Sequence, residues 1–229
     1  MSTVSHLIGM LRAPRQTLTA ALEQPRTVRL AALILVVCAA GQVGFLMTPT
    51  GRLAALDQQV RQLESVGVVV TDQVYGDVRA WQPYRPLVSA ATILVGWPLM
   101  WVAGAGIIQT VASRTRGAVT LAQVLTVLVY ASSVFALRAV VTTPINFARE
   151  SLGGSASLTM MLPGLGDATF AARLFGAIDL FVVWWVALAS VGLAMLYQSR
   201  AMAIARWLFG VYATGAVALA LTQALRGGV

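Results

Sequence analysis

The chain has 229 residues, 58% of them hydrophobic and 10% charged, with a formal net charge of +8. A soluble domain carries about 25% charged residues, so this one lacks the polar material to cover a water-exposed globule. The mean hydropathy of +0.79 points to an all-α polytopic membrane protein whose first partner is the lipid bilayer.

All sixteen basic residues are arginine, a usage that suits a GC-rich bacterial genome. No basic nucleic-acid motif accompanies them, so the surplus reads as span orientation and headgroup contact, with no nucleic-acid partner. The single cysteine, Cys38, and single histidine, His6, allow neither an intrachain disulfide nor a Cys/His metal cluster. Cys38 lies mid-span in "LILVVCAAG" and is expected to act as a small packing residue.

In chain order, residues 1–29 come first. Val4, Leu7, Ile8 and Leu11 recur at helical spacing, and a second short helix is expected after Pro14, with Leu18, Ala21 and Leu22 on one side. Arg12, Arg15, Arg26 and Arg29 suit cytoplasmic interfacial helices lying on an anionic leaflet. The alternative is packing of the same helices against the end of a bundle.

Five spans are expected in the membrane domain 30–229, at about 30–48, 87–111, 119–143, 174–197 and 204–225. Pro25 and Pro49 bracket the first span. Pro98 predicts a kink near Trp97 in the second, and Pro144 is expected to stop the third. Outer loops cover 49–86 and 144–173. In the first, Leu53, Leu56, Val60 and Leu63 form an apolar stripe among charged and amide residues, an amphipathic helix of about four turns. "GVVVTDQVYGDV" after it reads as extended or as a short second helix. The second outer loop, with "GGSAS" and "PGLGD", reads as irregular with short helical pieces.

Arginine placement gives orientation. With the N-terminus cytoplasmic, eight arginines fall inside and seven outside, and the inner ones sit in short connections near span ends. The expected location is the cell inner membrane, multi-pass, with the C-terminus outside.

Two charges fall within the apolar stretches. If the third helix ends at Thr143, Arg138 lies roughly 8 Å from that end. If the fourth begins at Leu174, Asp179 lies roughly 8 Å from its start, at a matching level. An isolated charge deep in a bilayer costs about 2.5–3.5 kcal/mol on insertion scales, which an intramembrane Arg138–Asp179 ion pair would offset. Snorkelling of Arg138 to the headgroups is the alternative. Gln42, Gln109, Gln123 and Gln223 are expected to make interhelical hydrogen bonds, and Ala216, Ala220 and Ala224 form a ridge of small residues for close helix approach. The six tryptophans read as packing or interfacial-belt residues.

No catalytic constellation is found. The only histidine lies outside the spans, and the chain shows no phosphate-cradling loop, HExxH or paired intramembrane carboxylates. No enzyme activity and no cofactor are expected.

The order of elements resembles a known family. "LIGMLRAPRQTLTAALEQP" precedes the spans, "GAVTLAQVLTVLVYAS" covers Gly117–Ser132, and "GAIDLFVVWWVALASVGL" covers Gly176–Leu193. Together they look like the Yip domain family, membrane proteins named for interaction with Ypt/Rab GTPases, in its bacterial branch. Ile178–Phe181 with Trp184 is the most telling match. The resemblance implies a five-span helical bundle, and for bacterial relatives an association with ABC-type exporters. The resulting expectation is a non-enzymatic scaffold or accessory subunit, with a protein partner or a second copy at Leu53, Leu56, Val60 and Leu63. The competing expectation is a small transporter or lipid-handling protein with a cavity near Arg138 and Asp179.

Overall fold

The structure, a computed structural model, describes residues 3–65, 67–113, 119–152 and 178–226. Among them it contains helices and no strand. Two short helices open the chain, α1 (Thr3–Arg12) and α2 (Pro14–Glu23). Then follow α3 (Thr27–Leu46), α4 (Pro49–Ser65) and α5 (Asp72–Ala80). A 3₁₀ turn (Gln82–Tyr84), α6 (Arg85–Ala91), a π-helical turn (Thr92–Gly96) and α7 (Trp97–Ser113) come next. The remainder is α8 (Leu121–Ala131), α9 (Ser133–Arg149), α10 (Leu180–Leu196) and α11 (Ala201–Arg226).

Among the described residues, four segments are long and apolar enough to cross a bilayer: Thr27–Leu46, Asp72–Val111, Leu121–Arg149 and Ala201–Ala218. The helix Leu180–Leu196 is equally apolar in character but has 17 residues. Residues 174–177 of the fourth expected span lie outside the described residues, as do "GGSAS" and "PGLGD".

The chain divides into two compact units. The first comprises Met1–Ala39, Ala91–Arg138 and Phe181–Gly210. Its core is α8, where Val124 and every residue from Thr126 to Ala131 are buried. A capping box starts this helix: the Gln123 backbone N–H donates to Thr120 Oγ1 (3.3 Å), and the Thr120 N–H donates to Gln123 Oε1 (2.9 Å). Gln123, expected to bond a neighbouring helix, therefore serves its own helix end. Against α8 pack α7, α1 and α2. Both N-terminal helices thus turn one side inward, burying His6 and Met10 from α1 and Thr17, Leu18 and Ala21 from α2. Val4 and Ile8 stay exposed.

His6 is 5% exposed, and its ring meets Tyr130 edge-on at 5.8 Å. Its Nδ1 has no hydrogen-bond partner. Burial, and then the nearby Arg26 charge, hold its pKa below the usual 6.5. The neutral imidazole is therefore the folded form. The unfolded chain takes up the proton first, so this contribution to stability is present above pH 6.5 and is lost as pH falls below it. Thermal unfolding in detergent should show a lower midpoint at pH 5.5 than at pH 7.5. His6→Phe should flatten that difference, and an unchanged pH dependence in the variant would remove His6 as its source.

The second unit comprises Ala40–Ala90, Ala139–Leu180 and Val211–Val229. Here α4 packs on α5 and on the 3₁₀ turn. Of "GVVVTDQVYGDV", the part from Asp72 on belongs to helix α5, started by Thr71, whose Oγ1 accepts from the Val74 N–H. Asp72 in the first turn and Arg79 in the last complement the helix dipole. Phe45, 1% exposed, meets Phe147 edge-on at 4.8 Å.

Pro25 and Pro49 flank α3 as expected, whereas Pro144 acts differently from expectation. Pro144 does not stop the third apolar segment; it lies inside α9, which runs on to Arg149. The stop comes from Glu150, held in the left-handed conformation (φ 50°), with the Ser151 N–H donating to the Asn146 carbonyl. Gln198 (φ 47°) ends α10 the same way, with Ser199 N–H to Ala194 O, and Gly67 (φ 80°) ends α4, with Val68 N–H to Leu63 O. Pro98 falls in the first turn of α7, directly after the π-helical turn Thr92–Gly96, whose wider spacing (Trp97 N–H to Thr92 O) absorbs the irregularity. The third segment is not one rod either. It divides at Ser132 into α8 and α9, with Ser132 N–H shared between the Leu128 and Val129 carbonyls.

Candidate functional site

The two charges singled out in the sequence occupy different helical settings. Because α9 extends to Arg149, Arg138 stands 11 residues before its end (149 − 138), or about 16 Å along the helix. Asp179 does not lie inside a helix; it immediately precedes α10, and its backbone N–H donates to Tyr212 Oη at 3.0 Å. Both side chains are half-buried and neither lacks a partner. The matching of their levels from helix ends at Thr143 and Leu174 does not follow from the observed bounds, because the helices end and begin elsewhere.

The stripe on α4 is also rotated from its expected role. Leu56 is 4% exposed and packs inward with Ala54 and Ala55. Val60 and Leu63 are half-buried, and only Leu53, at 62%, stands free. Small residues, not the leucine stripe alone, form the inward face, because the helix lies close to its neighbours. Leu56 is therefore unavailable to a partner, and of the four residues Leu53 alone presents a full surface. On α11, Ala216 is buried, whereas Ala220, Gln223 and Ala224 lie outside the described side chains.

Two polar constellations that sequence reasoning passed over stand out. The first, in the first unit, centres on Ser132, which is wholly buried. Its Oγ accepts from Trp101 Nε1–H and from Trp185 Nε1–H, each at 3.0 Å, and donates to the Leu128 carbonyl at 2.8 Å. One hydroxyl thus joins α7, α10 and the α8–α9 junction. Around it, Phe135 meets Trp97 edge-on at 5.3 Å and stacks with Trp185 at 6.3 Å. Two further links belong to the same unit. Thr126 Oγ1 donates to Ala122 O, so Thr27 is the donor in the 2.9 Å hydroxyl pair that ties α3 to α8. Cys38 Sγ–H donates to Phe135 O at 3.4 Å, in keeping with its expected packing role. The tryptophan pair and Ser132 lie 31 and 53 positions apart, so no local pattern in the sequence marks them.

The second constellation, in the second unit, is a cleft of about 330 Å³. Gln42 near the end of α3, Gln58 and Gln59 of α4, Trp81, and Arg85 and Ser89 of α6 supply its polar wall. Arg85 Nη1–H donates to the Ala55 carbonyl, which fixes the guanidinium at the cleft wall. No carboxylate is found among the described lining residues. The cleft is lined by neither Arg138 nor Asp179.

No family model matches the chain, and neither curated proteins nor solved structures yield a match.

Proposed function

We propose that the chain is a non-enzymatic, five-span membrane protein of the Yip type, with its N-terminus cytoplasmic, acting as a scaffold or accessory subunit of a membrane complex. The partner class that the sequence resemblance implies is an ABC-type exporter. The observation that carries the structural role is the use of interior polar groups. Ser132, Trp101, Trp185, Thr27 and Thr126 are spent on bonds between helices. Such bonds set helix register in an apolar medium, where an unpaired polar group is costly.

Embedding in lipid is supported by the outward faces. Val36, Leu99, Met100 and Ile107 are each at least 60% exposed on helices that carry no alternating polar face. In water each such side chain would forfeit about 1.5–3 kcal/mol of burial; hydrocarbon removes that cost. Val4 and Ile8, exposed on α1, suit contact with the acyl boundary beside the basic N-terminal segment.

The test is cross-linking in native membranes followed by gentle-detergent purification, with wild type and Leu53→Arg compared. The expected result is a stoichiometric membrane-protein partner that the variant loses. A chain recovered alone, with no cross-linked partner in either form, overturns the scaffold reading.

A further inference from the structure

We propose that the cleft between the end of α3, α4 and Trp81–Ser89 holds the phosphate of an anionic glycerophospholipid. This goes beyond the scaffold role and rests only on the bilayer placement of α3, so the two can fail separately.

Three observations converge. The first is electrostatic. Arg85 contributes the one formal charge among the described lining residues, and no carboxylate there opposes it. Its Nη1–H is used on the Ala55 carbonyl, which orients the fork while its other N–H groups are left for an anion. A planar guanidinium held this way suits two parallel hydrogen bonds to phosphate oxygens.

The second is the state of the amides. Gln42, Gln58 and Gln59 make no side-chain hydrogen bond to a described residue, although all three line one cleft. By contrast, the amides of Gln109 and Gln123 are engaged, with the Val119 carbonyl and at the Thr120 cap. Three convergent, unengaged amides supply donors for phosphate and ester oxygens and acceptors for headgroup hydroxyls. A cleft of about 330 Å³ is of the size that ligand sites occupy.

The third is level, and it selects a lipid over a free anion. Gln42 lies within the last turn or so of α3, whose body is apolar. Trp81 and Tyr84, both exposed and edge-on at 5.8 Å, mark the aromatic belt depth. Directly after Arg85, Leu87 (72% exposed) and Val88 face outward, and Leu46 and Val88 also line the cleft. A phosphate in the cleft therefore has an apolar path for acyl chains beside it, which a soluble anion would not use.

The experiment uses the full chain purified in mild detergent. Phosphatidylglycerol, phosphatidylcholine, glycerol 1-phosphate and inorganic phosphate are compared by native mass spectrometry and by thermal protection. Phosphatidylglycerol should bind and protect in preference to phosphatidylcholine, and neither soluble phosphate should match it. Arg85→Gln should weaken phosphatidylglycerol binding about tenfold or more, in line with the strength of charge-assisted bonds. Arg61→Gln, on an exposed position of α4 outside the cleft, should leave it unchanged. Should Arg85→Gln not fold, the double variant Gln58→Ala/Gln59→Ala gives the decision, since loss of the phosphatidylglycerol preference supports the site and its retention overturns it. Equal binding of both lipids, an unaffected Arg85→Gln, or full protection by inorganic phosphate alone each overturns the proposal.

Discussion

Gly51→Ala is expected to lower stability by about 3 kcal/mol, the upper end for forcing a methyl into a filled site. The reason lies in the tight connection between α3 and α4. Thr48 Oγ1 donates to the Phe45 carbonyl at 2.7 Å and accepts the Gly51 N–H at 3.0 Å. That clasp draws the first turn of α4 onto the last turn of α3. A Cβ at position 51 would overlap the Phe45 carbonyl oxygen, lie 2.6 Å from the Phe45 carbonyl carbon and 3.1 Å from the Leu46 nitrogen. These are backbone atoms, so no rotamer change relieves the overlap. The turn would have to open, and the buried Phe45 ring would shift from Phe147. Gly44→Ala, seven residues earlier on α3, meets nothing within 4 Å. There the methyl should stabilise the helix by about 0.5–1 kcal/mol. Thermal unfolding of both variants in the same detergent checks the contrast, and equal midpoints would disprove the close approach.

Ser132→Ala is the second large effect. It removes the shared acceptor of two indole N–H groups, of which Trp101 is buried and Trp185 half-buried. Leaving a buried donor unpaired costs about 1–3 kcal/mol, whereas measured bonds between transmembrane helices average about 0.6 kcal/mol. Since the Trp101 ring is 7% exposed and Ser132 wholly buried, water does not replace the lost partner, and a loss of about 2 kcal/mol is expected. A double-mutant cycle isolates the bond: Trp101→Phe should cost less in the Ser132→Ala background than in the wild type. Additive losses would show that Ser132 and Trp101 contribute independently, against the hub.

The contrast between these sites and the sequence is physical. Apolar helices were legible because each depends on its own composition: about twenty apolar residues suffice, whatever they meet. The segments around 30–48, 87–111 and 119–143 were found for that reason. Their ends were not. Pro144 carries a strong local bias against helix, yet α9 passes through it, because helix α9 is stabilised by its surroundings beyond what one missing N–H removes. The stops at Glu150 and Gln198 use a left-handed conformation on residues with no intrinsic preference for it, so no residue type announces them. The same holds for Gln123, where an amide within an apolar run could serve either a neighbour or its own helix cap, and the Thr120 side chain decides.

What the sequence by itself determined is the material: few charges, helices among the described residues, and apolar stretches of bilayer length, all properties that sum over neighbouring residues. What only the tertiary structure decided is which groups meet. The convergence of Trp101 and Trp185 on one hydroxyl, the inward turn of Leu56, and the gathering of Arg85 with three glutamines around a cleft all bring together residues from separate helices. Hydrogen bonds and clefts act over a few ångströms in space, and spacing along the chain carries no record of them.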